Sequence, residues 1–312
     1  MTTNFSPEIN QTKRLLIVIP AFNEESSIAE VILKAKAFSP EVLVYDDGSS
    51  DKTADVAEQN GAIVIRNVRN RGYGRALNTL FQTAVIMKVD LVITIDSDGQ
   101  HDPEQIPRLL QPLIENKADI VIGSRFLTSD DKTNVPKYRS FGIKTITKFT
   151  QAACFDKITD ATSGFRAYSL NSLSKLHLQE NGMAISTEIL LKASEANLRI
   201  VEVPITTKKY DINDSSTHNP LRLGWDVISH VIKFLSLKHP MIFYGIPGLV
   251  FLIFSSFFMY SAVELFSSTR YVSTNLIIIS VGLALFGIIL LATGAIAYTI
   301  VSLFKGKITN LR

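Results

Sequence analysis

The chain holds a single cysteine, a single tryptophan and five histidines among its 312 residues. One cysteine cannot form an internal disulfide, and the dispersed histidines lack the spacing of zinc ligands. The cysteine, Cys154, lies between Ala153 and Phe155, a setting that favours a packed thiol over a nucleophile. The sequence therefore excludes a disulfide scaffold and a zinc site.

Net charge is also low, at +3, and the basic residues form neither a stripe nor a nucleic-acid-binding motif. We expect no nucleic-acid partner for such a chain. A signal peptide is not expected either, because the apolar stretch 15–19 is too short for its hydrophobic region and leads into Asn23, Glu24 and Glu25.

Charged residues are missing altogether from two long stretches near the C-terminus, residues 242–263 and 276–304. Each stretch exceeds the roughly 20 residues that a helix needs to cross a hydrocarbon core. We predict a two-helix transmembrane domain over residues 240–312, with spans at about 242–266 and 276–304. The alternative is a pair of buried helices in a soluble protein.

Basic residues flank the predicted spans on their outer sides, while the connection between the spans carries Arg270 alone. The outer basic residues are Lys233, Lys238, Lys305, Lys307 and Arg312. Because positive charge is retained on the cytoplasmic side of a membrane, we expect a multi-pass cell-membrane protein. The part of the chain before the first span and both termini are then cytoplasmic.

The segment before the first span, residues 220–239, has apolar side chains at steps of three and four. They are Leu221, Trp225, Ile228, Ile232 and Leu235. This is the period of an amphipathic helix, and its place next to a span favours a helix in the bilayer interface. A soluble core helix with the same pattern is the alternative.

In the first 219 residues, short runs of valine and isoleucine alternate with helical patterns. The predicted strands are 15–19, 42–45, 63–65, 91–95, 120–122 and 200–205, and helices are predicted from about residue 27 and over 51–60, 138–153 and 186–197. Such alternation is typical of an α/β domain with a doubly wound, mostly parallel sheet. Ligands of such sheets bind beyond the carboxyl ends of the strands, so the polar residues that follow the runs are the site candidates.

The most informative candidates are Asp96 and Asp98, which directly follow the apolar run 91–95. Two alternate carboxylates at the end of a buried strand lie together at the edge of the sheet. Carboxylate oxygens are the ligands that Mg²⁺ and Mn²⁺ prefer, and such an ion can be shared with a diphosphate. The sequence therefore predicts that this edge can hold a divalent cation against a diphosphate, as in the binding of a nucleotide-sugar.

Five motifs in order carry a resemblance to a known family. They begin at Ile19 (IPAFNEE), Asp46 (DDGSSD), Arg71 (RGYGRAL), Asp96 (DSDGQ) and Gly123 (GSRF). Together they closely resemble family 2 glycosyltransferases of the polyprenyl-phosphate type, the dolichol-phosphate mannose or glucose synthase group. The resemblance covers about residues 14–235, and the two C-terminal spans are similar to those of bacterial and archaeal members.

The resemblance implies a Rossmann-like GT-A fold and inverting transfer of a sugar from UDP-hexose or GDP-mannose to polyprenyl or dolichyl phosphate. The residues it places at the base and ribose are Pro20, Phe22, Glu24 and Asp46, with Asp47 beside them. The residues it places around Mg²⁺ or Mn²⁺ are Asp96, Asp98 and Gln100. For the Asp46 motif, a plain strand-to-helix turn with an Asx cap is the alternative.

The resemblance also implies cations for the acceptor phosphate. Arg125 lies in the motif whose arginine contacts phosphate in the family. From the residues alone, Arg139 on a predicted helix is a second candidate, and a solvated arginine on the helix surface is the alternative. The residues that match the wall of the acceptor and sugar pocket are Asp160, Ser163, Gly164 and Arg166. Glu188 matches an acidic residue near the sugar, with capping of its own helix start as the alternative.

The segment 210–220 departs from the corresponding loop of the eukaryote-like mannose synthases and is similar to archaeal and some bacterial forms. The candidates for the missing cations at the diphosphate are Lys208, Lys209, His218 and Asn219. Because this loop closes over the donor, the departure leaves the sugar and the base open.

Three functions agree with these patterns. The first is a metal-dependent transferase that makes a lipid-linked monosaccharide at the cytoplasmic leaflet, with self-association, such as a tetramer, expected from the family. In it Asp98 is a metal ligand rather than a strong base, since a phosphate monoester with a second pKa of about 6 is already mostly ionised. The alternatives are an inert, membrane-anchored nucleotide-sugar-binding subunit and a polysaccharide synthase, whose Gln-x-x-Arg-Trp motif is absent.

Overall fold

The computed structural model describes residues 13–127, 137–154, 158–207 and 240–309, together with residues 229, 232 and 236. The chain divides into two compact units, residues 1–231 and 232–312. The described part of the first unit is built on a seven-stranded sheet flanked by helices. The described part of the second consists mainly of two long apolar helices.

The strands of the sheet are β1 (Leu15–Ala21), β2 (Val42–Asp46), β3 (Ile63–Arg66), β4 (Leu91–Thr94), β5 (Ile120–Ser124), β6 (Arg166–Ser169) and β7 (Ile200–Pro204). Their spatial order is β3-β2-β1-β4-β6-β5-β7. Only β6 runs against its neighbours. Every residue of β1, β2, β4 and β5 is buried, as expected of a parallel sheet covered on both faces. The predicted mostly parallel α/β sheet is confirmed.

The helices of the first unit are α1 (Ile28–Ala35), α2 (Thr53–Gln59), α3 (Tyr73–Met87), α4 (Ile106–Ile114), α5 (Lys137–Cys154), α6 (Leu170–Lys175) and α7 (Ile185–Glu195). Alternate residues of β1 point to opposite faces of the sheet. Ile17 and Ile19 pack in the apolar cluster that includes α1 and α4. Leu16 and Val18 pack in the cluster that includes α3 and α7. The sheet therefore lies between two helical layers.

Strand β1 lies at the point where the order of the sheet reverses. It pairs with β2 on one side and with β4 on the other, and the β4 pairing stops at Val18 while the β2 pairing continues to Ala21. A crevice forms beyond the carboxyl ends of the strands at such a point. The segments that follow β1, β2, β4 and β5 therefore meet at one edge of the sheet.

Strand β6 corrects the sequence analysis, which interpreted the stretch from Asp160 to Arg166 only as a loop. The strand begins at Arg166 and pairs antiparallel with Thr94 and Ile122. It has four residues, and its first is a fully buried arginine whose guanidinium donates to three backbone carbonyls. Hydrophobic periodicity does not reveal a strand this short when its first buried residue carries a charge.

In the second unit, a π-helical turn, Met241–Gly245, leads into α8 (Ile246–Thr269), and α9 spans Thr274–Thr309. The segments Met241–Thr269 and Thr274–Ile300, with mean hydropathies of 2.0 and 2.8, are long and apolar enough to cross a membrane. The hydroxyl of Ser255 donates to the carbonyl of Ser280 at 2.8 Å, a polar contact typical of helices that associate in lipid. The two predicted apolar helices are confirmed, and the predicted interface helix over 220–239 lies almost wholly outside the described residues.

Candidate active site

The predicted metal ligands Asp96, Asp98 and Gln100 lie on one tight turn that follows β4. We call these three residues the β4 edge. The side chain of Asp96 is 28 % exposed, and Asp98 is exposed. The carboxylate of Asp98 accepts the backbone N–H of Gln100 at 3.0 Å, with Gly99 in the left-handed region between them. The turn therefore presents all three candidate ligands from a short length of backbone.

Asp96 is held by groups from three other segments. The hydroxyl of Tyr73 donates to its Oδ1 at 3.0 Å, and Nδ1 of His101 lies 3.5 Å from its Oδ2. A Cβ atom at Gly164 would lie 2.5 Å from the same Oδ2, so a side chain there would have to displace the carboxylate. Burial raises the pKa of the Asp96 carboxyl, against the opposite effects of the Tyr73 hydrogen bond and of the charges on Arg125 and Arg166.

Three buried polar atoms of the described residues have no hydrogen-bond partner: both ring nitrogens of His101 and the hydroxyl of Ser163. Burial and the charge of Arg125 lower the pKa of His101 to about 4, so its ring is neutral at neutral pH. His101 contacts Asp96, and Ser163 precedes the glycine that packs on Asp96. Since a buried polar atom without a partner costs about 1–3 kcal/mol, these atoms mark a place where a polar ligand is expected.

The β4 edge fits a divalent cation that is shared with a substrate. Among the residues that the structure describes, no three His, Cys, Asp or Glu side chains form a group that could hold a metal ion. Mg²⁺ rarely needs such a group, because it keeps waters and binds one or two carboxylates together with substrate phosphates. Asp96 and Asp98, with the amide of Gln100, provide that smaller set.

Asp46 ends β2 and Asp47 begins the turn that follows, and we call these two residues the β2 edge. Both side chains are buried. Asp46 accepts the backbone N–H of Ser49 at 3.1 Å and also its hydroxyl. Asp47 accepts the backbone N–H groups of Arg71 at 3.0 Å and Gly72 at 2.7 Å. Asp46 thus holds the turn through its side chain but does not cap α2, and a contact of Asp46 or Asp47 with a nucleotide stays a prediction.

The end of β1 is joined to the β2 turn by hydrogen bonds. Pro20 is buried opposite Tyr45, whereas the ring of Phe22 is 36 % exposed. The backbone N–H of Asn23 donates to Ser49, and that of Glu24 donates to the hydroxyl of Thr53 at 2.7 Å. The structure thus brings together the residues predicted to hold the base and ribose.

Arg125 follows β5 and forms a buried ion pair with Asp160. Its Nε lies 2.7 Å from Oδ2 and its Nη2 lies 2.9 Å from Oδ1 of that carboxylate. Burial alone would raise the pKa of Asp160, but the charge and hydrogen bonds of Arg125 outweigh it and leave that pKa below its ordinary value. The orientation of Arg125 is therefore set by Asp160, and its contact with a phosphate stays a prediction.

Arg166 was predicted to wall the pocket, and the structure shows it as a buried residue bonded to the backbone. Its side chain is fully buried and donates to the backbone carbonyls of Ala161, Ser163 and Ser186 at 2.8–3.0 Å. It therefore ties the loop before β6 to the beginning of α7.

Glu188 is also buried, and its carboxylate accepts backbone N–H groups. The donors are Gln179, at 3.0 Å and 3.1 Å, and Glu180, at 2.9 Å. These hydrogen bonds hold the segment before α7. Within the described residues, Glu188 makes no capping bond at the start of α7, so the capping alternative is wrong. The predicted contact of Glu188 with the sugar is untested, and its hydrogen bonds favour a structural role.

The remaining candidates lie outside what the structure describes. Arg139 is on α5, but its side chain is not among the described ones, and Lys208, Lys209, His218 and Asn219 fall in an undescribed segment. That segment follows Thr207, which pairs with His101 in an isolated bridge.

Sequence analysis missed the contacts of two residues at the β4 edge, Tyr73 and His101. Both lie in or directly after motifs that it quoted, RGYGRAL and DSDGQ. The sequence contains no signal that would have predicted the hydrogen bond between the hydroxyl of Tyr73 and Asp96.

An open α/β sheet with an acidic turn at its switch point belongs to the class of folds that bind their ligands beyond the carboxyl ends of the strands. Residues 16–176 match the family described as Glycosyl transferase family 2, and the chain belongs to this family. It is therefore a glycosyltransferase, and the predicted resemblance is confirmed.

Two relatives and one solved structure illustrate the match. An undecaprenyl-phosphate mannosyltransferase of Micrococcus luteus is 31% identical over 212 residues, 65% of this chain and 86% of that protein. A UDP-N-acetylglucosamine–dolichyl-phosphate N-acetylglucosaminyltransferase of Methanococcus voltae is 30% identical over 62% of this chain and 86% of its own. Glucosyl-3-phosphoglycerate synthase of Mycobacterium tuberculosis, in complex with Mn²⁺, UDP and glucosyl-3-phosphoglycerate, shares the fold with a TM-score of 0.57. The match is 21% identical and covers 72% of this chain and 81% of the synthase.

Proposed function

We propose that this glycosyltransferase moves a monosaccharide from a UDP- or GDP-linked donor to polyprenyl or dolichyl phosphate, with inversion. The observation that carries the proposal is the β4 edge, where two carboxylates and several partnerless buried polar atoms meet at the switch point of the sheet. The names of the two relatives support the class of acceptor. The Mn²⁺ and UDP in the structural neighbour support a cation shared with a nucleotide.

In the proposed reaction, Asp96, Asp98 and Gln100 hold Mg²⁺ or Mn²⁺, which would stabilise the negative charge of the departing nucleoside diphosphate. Asp98 positions the donor and does not act as a strong base, because the acceptor phosphate, with a second pKa of about 6, is already mostly ionised near neutral pH. The neutral ring of His101 and the hydroxyl of Ser163 offer hydrogen bonds to the bound donor.

The donor and acceptor are held by different segments in this proposal. The residues proposed for the base and ribose are Pro20, Phe22, Glu24, Asp46 and Asp47, and those for the diphosphate are Lys209, His218 and Asn219. Arg125 is proposed to face the acceptor phosphate with its positive charge, because its Nε and Nη2 are already bonded to Asp160, and Arg139 is proposed as a second cation. Glu188 remains proposed near the sugar.

The apolar helices α8 and α9 anchor the enzyme in the membrane in this proposal, with the head and both termini cytoplasmic. Residues 1–219 then form the catalytic domain, 220–239 the interface helix and 240–312 the transmembrane domain. A lipid phosphate is confined to the bilayer, so an anchored head meets it at high local concentration. Self-association into a homo-oligomer, such as a tetramer, is part of the same proposal.

The test uses the purified full chain with polyprenyl phosphate, labelled UDP- and GDP-sugars, and Mn²⁺ with or without a chelator. We expect an organic-extractable monosaccharide product that disappears with the chelator and in the variant Asp96→Asn. A polymeric product would instead support a polysaccharide synthase. Donor binding without any product would support an inert binding subunit.

A further inference from the structure

Helix α3 begins at Tyr73, within the RGYGRAL motif. The proposed function assigns no role to this motif. We propose that the hydroxyl of Tyr73 is a positioning group for the metal carboxylate of Asp96, and that Asp47 and Glu188 hold Tyr73 in place. The inference rests on the proposed function, because it assigns Asp96 to the cation.

The first step is the contact itself. The hydroxyl of Tyr73 lies 3.0 Å from Oδ1 of Asp96, while Gly164 closes against Oδ2. A hydrogen bond on one oxygen and a close backbone approach at the other leave the carboxylate little freedom to rotate. A metal ligand that is oriented before the ion arrives binds it more tightly.

The second step is the backbone before Tyr73. The carboxylate of Asp47 accepts the N–H groups of both Arg71 and Gly72, the two residues that precede the tyrosine. Asp47 is buried, so water competes little for these bonds. A carboxylate of the β2 edge thus fixes the entry of α3.

The third step is the backbone after Tyr73. The N–H of Gly74 donates to the carbonyl of Asn181 at 2.8 Å, and a Cβ atom at Gly74 would lie 2.5 Å from the carbonyl of Glu180. That segment is held in turn by the buried carboxylate of Glu188, which accepts the N–H groups of Gln179 and Glu180. The chain on both sides of Tyr73 is therefore anchored to a buried acid.

Together these contacts give one role to three residues. A tyrosine has only two side-chain torsions, so a fixed backbone places its hydroxyl with little loss of entropy. Asp47 and Glu188, both predicted from the family to contact the donor, act through Tyr73 on Asp96. The geometry at the β4 edge then depends on acids that do not touch the cation.

The test compares Tyr73→Phe with Tyr45→Phe in the full chain. Tyr45 is buried in the apolar cluster that α3 also joins, and within the described residues it makes no hydrogen bond to Asp96. Mn²⁺ binding is measured by electron paramagnetic resonance with UDP or GDP present, and thermal unfolding is recorded for each variant.

We expect Tyr73→Phe to weaken Mn²⁺ binding at least about tenfold, the scale found for partners of metal ligands, with a melting temperature like that of Tyr45→Phe. Excess Mn²⁺ should then restore kcat, which a purely structural defect would not allow. If Asp96→Asn loses Mn²⁺ but Tyr73→Phe binds it with unchanged affinity, the inference about Tyr73 is overturned and the proposed function is not affected. If Asp96→Asn also keeps its Mn²⁺ affinity, the metal site of the proposed function fails and the inference fails with it.

Discussion

The β2 edge and the β4 edge use the same kind of residue for different purposes. At the β2 edge, the carboxylates of Asp46 and Asp47 accept hydrogen bonds from backbone N–H groups. The donors are Ser49, Arg71 and Gly72. At the β4 edge, Asp96 is held by a tyrosine hydroxyl and lies beside a histidine whose ring nitrogens have no hydrogen-bond partner in the described structure. The pair at the β2 edge is thus held mainly by backbone N–H groups, and Asp96 of the β4 edge lies beside buried nitrogens that lack a partner among the described residues.

This difference shows that an acidic motif beyond a strand does not by itself identify a binding site. A carboxylate that accepts two or three backbone N–H groups already has the partners it needs. A carboxylate next to partnerless buried atoms does not. The two edges are nevertheless connected, because Asp47 fixes the residues next to the tyrosine that contacts Asp96.

The largest effect should separate the two edges directly. We expect Asp96→Asn to lower kcat/KM by about 10²- to 10³-fold, the scale of a lost electrostatic stabiliser. Asp46→Asn keeps an oxygen that can accept the Ser49 N–H, so it should cost roughly tenfold or less, about one hydrogen bond. Steady-state kinetics at saturating Mn²⁺ measures both. Equal losses in the two variants would remove the distinction between the edges.

The ion pair of Arg125 and Asp160 gives the next largest effect. Asp160→Asn leaves a buried guanidinium without its counter-ion, so we expect unfolding to become easier by about 3–5 kcal/mol. Chemical denaturation of the full chain in detergent measures this loss. Replacing both partners, with Arg125→Met and Asp160→Leu, should restore most of the stability.

The double variant also tests the proposed phosphate contact of Arg125. If Arg125 binds the acceptor phosphate, the stable double variant should bind the donor and transfer almost no sugar. Full transfer by the double variant would show that the pair serves the fold alone.

The same pair predicts a pH dependence of stability. Because the pKa of Asp160 is lower in the folded chain than its ordinary value of 3.8, the ionised carboxylate contributes stability above that ordinary value. The contribution is lost as the pH falls through the lowered folded pKa. Acid unfolding of the wild type should therefore include a component that Asp160→Asn lacks. Parallel acid-unfolding curves for the two proteins would contradict this assignment.

Glu188→Gln should have a smaller effect on stability. One of the backbone N–H groups at Gln179 and Glu180 loses its buried acceptor, at a cost of about 1–3 kcal/mol. If Glu188 acts through Tyr73, the Mn²⁺ requirement should rise while kcat at saturating Mn²⁺ is retained. A fall in kcat that Mn²⁺ cannot restore would instead favour contact of Glu188 with the sugar.

The smallest effect is expected at the β2 edge. Ser49→Ala removes a hydroxyl that donates to Asp46, so unfolding should become easier by about 1 kcal/mol. The Mn²⁺ requirement should stay at the wild-type value, because Ser49 has no contact with the β4 edge in the described structure. A changed Mn²⁺ requirement would mean that the β2 edge also determines the metal site.

The sequence predicted those parts of the fold whose cause is local and repeated. The strands β1, β2 and β4 are continuous apolar runs, and the predicted bounds agree with the structure within two residues. The apolar helices α8 and α9 follow from composition in the same way. Strand β6 was missed because the burial of Arg166 depends on backbone carbonyls of the preceding loop and of α7, which the pattern of apolar residues does not reveal.

The candidate site was predicted in its position more than in its contacts. The polar residues after β1, β2, β4 and β5 do meet at one edge, since parallel strands place their carboxyl ends together. The hydrogen-bond partners of these carboxylates lie 20 or more residues away in the sequence. Asp96 accepts a hydrogen bond from Tyr73, and Asp47 accepts one from the backbone of Arg71. No spacing rule carries that information.

The most direct test of the account is a crystal structure of the full chain with UDP or GDP and Mn²⁺, with anomalous diffraction recorded to locate the manganese. We predict an anomalous peak within coordination distance, about 2.2 Å, of Asp96 or Asp98 oxygens and of the diphosphate. A nucleotide bound away from the β4 edge, or manganese on other residues, would contradict the central claim.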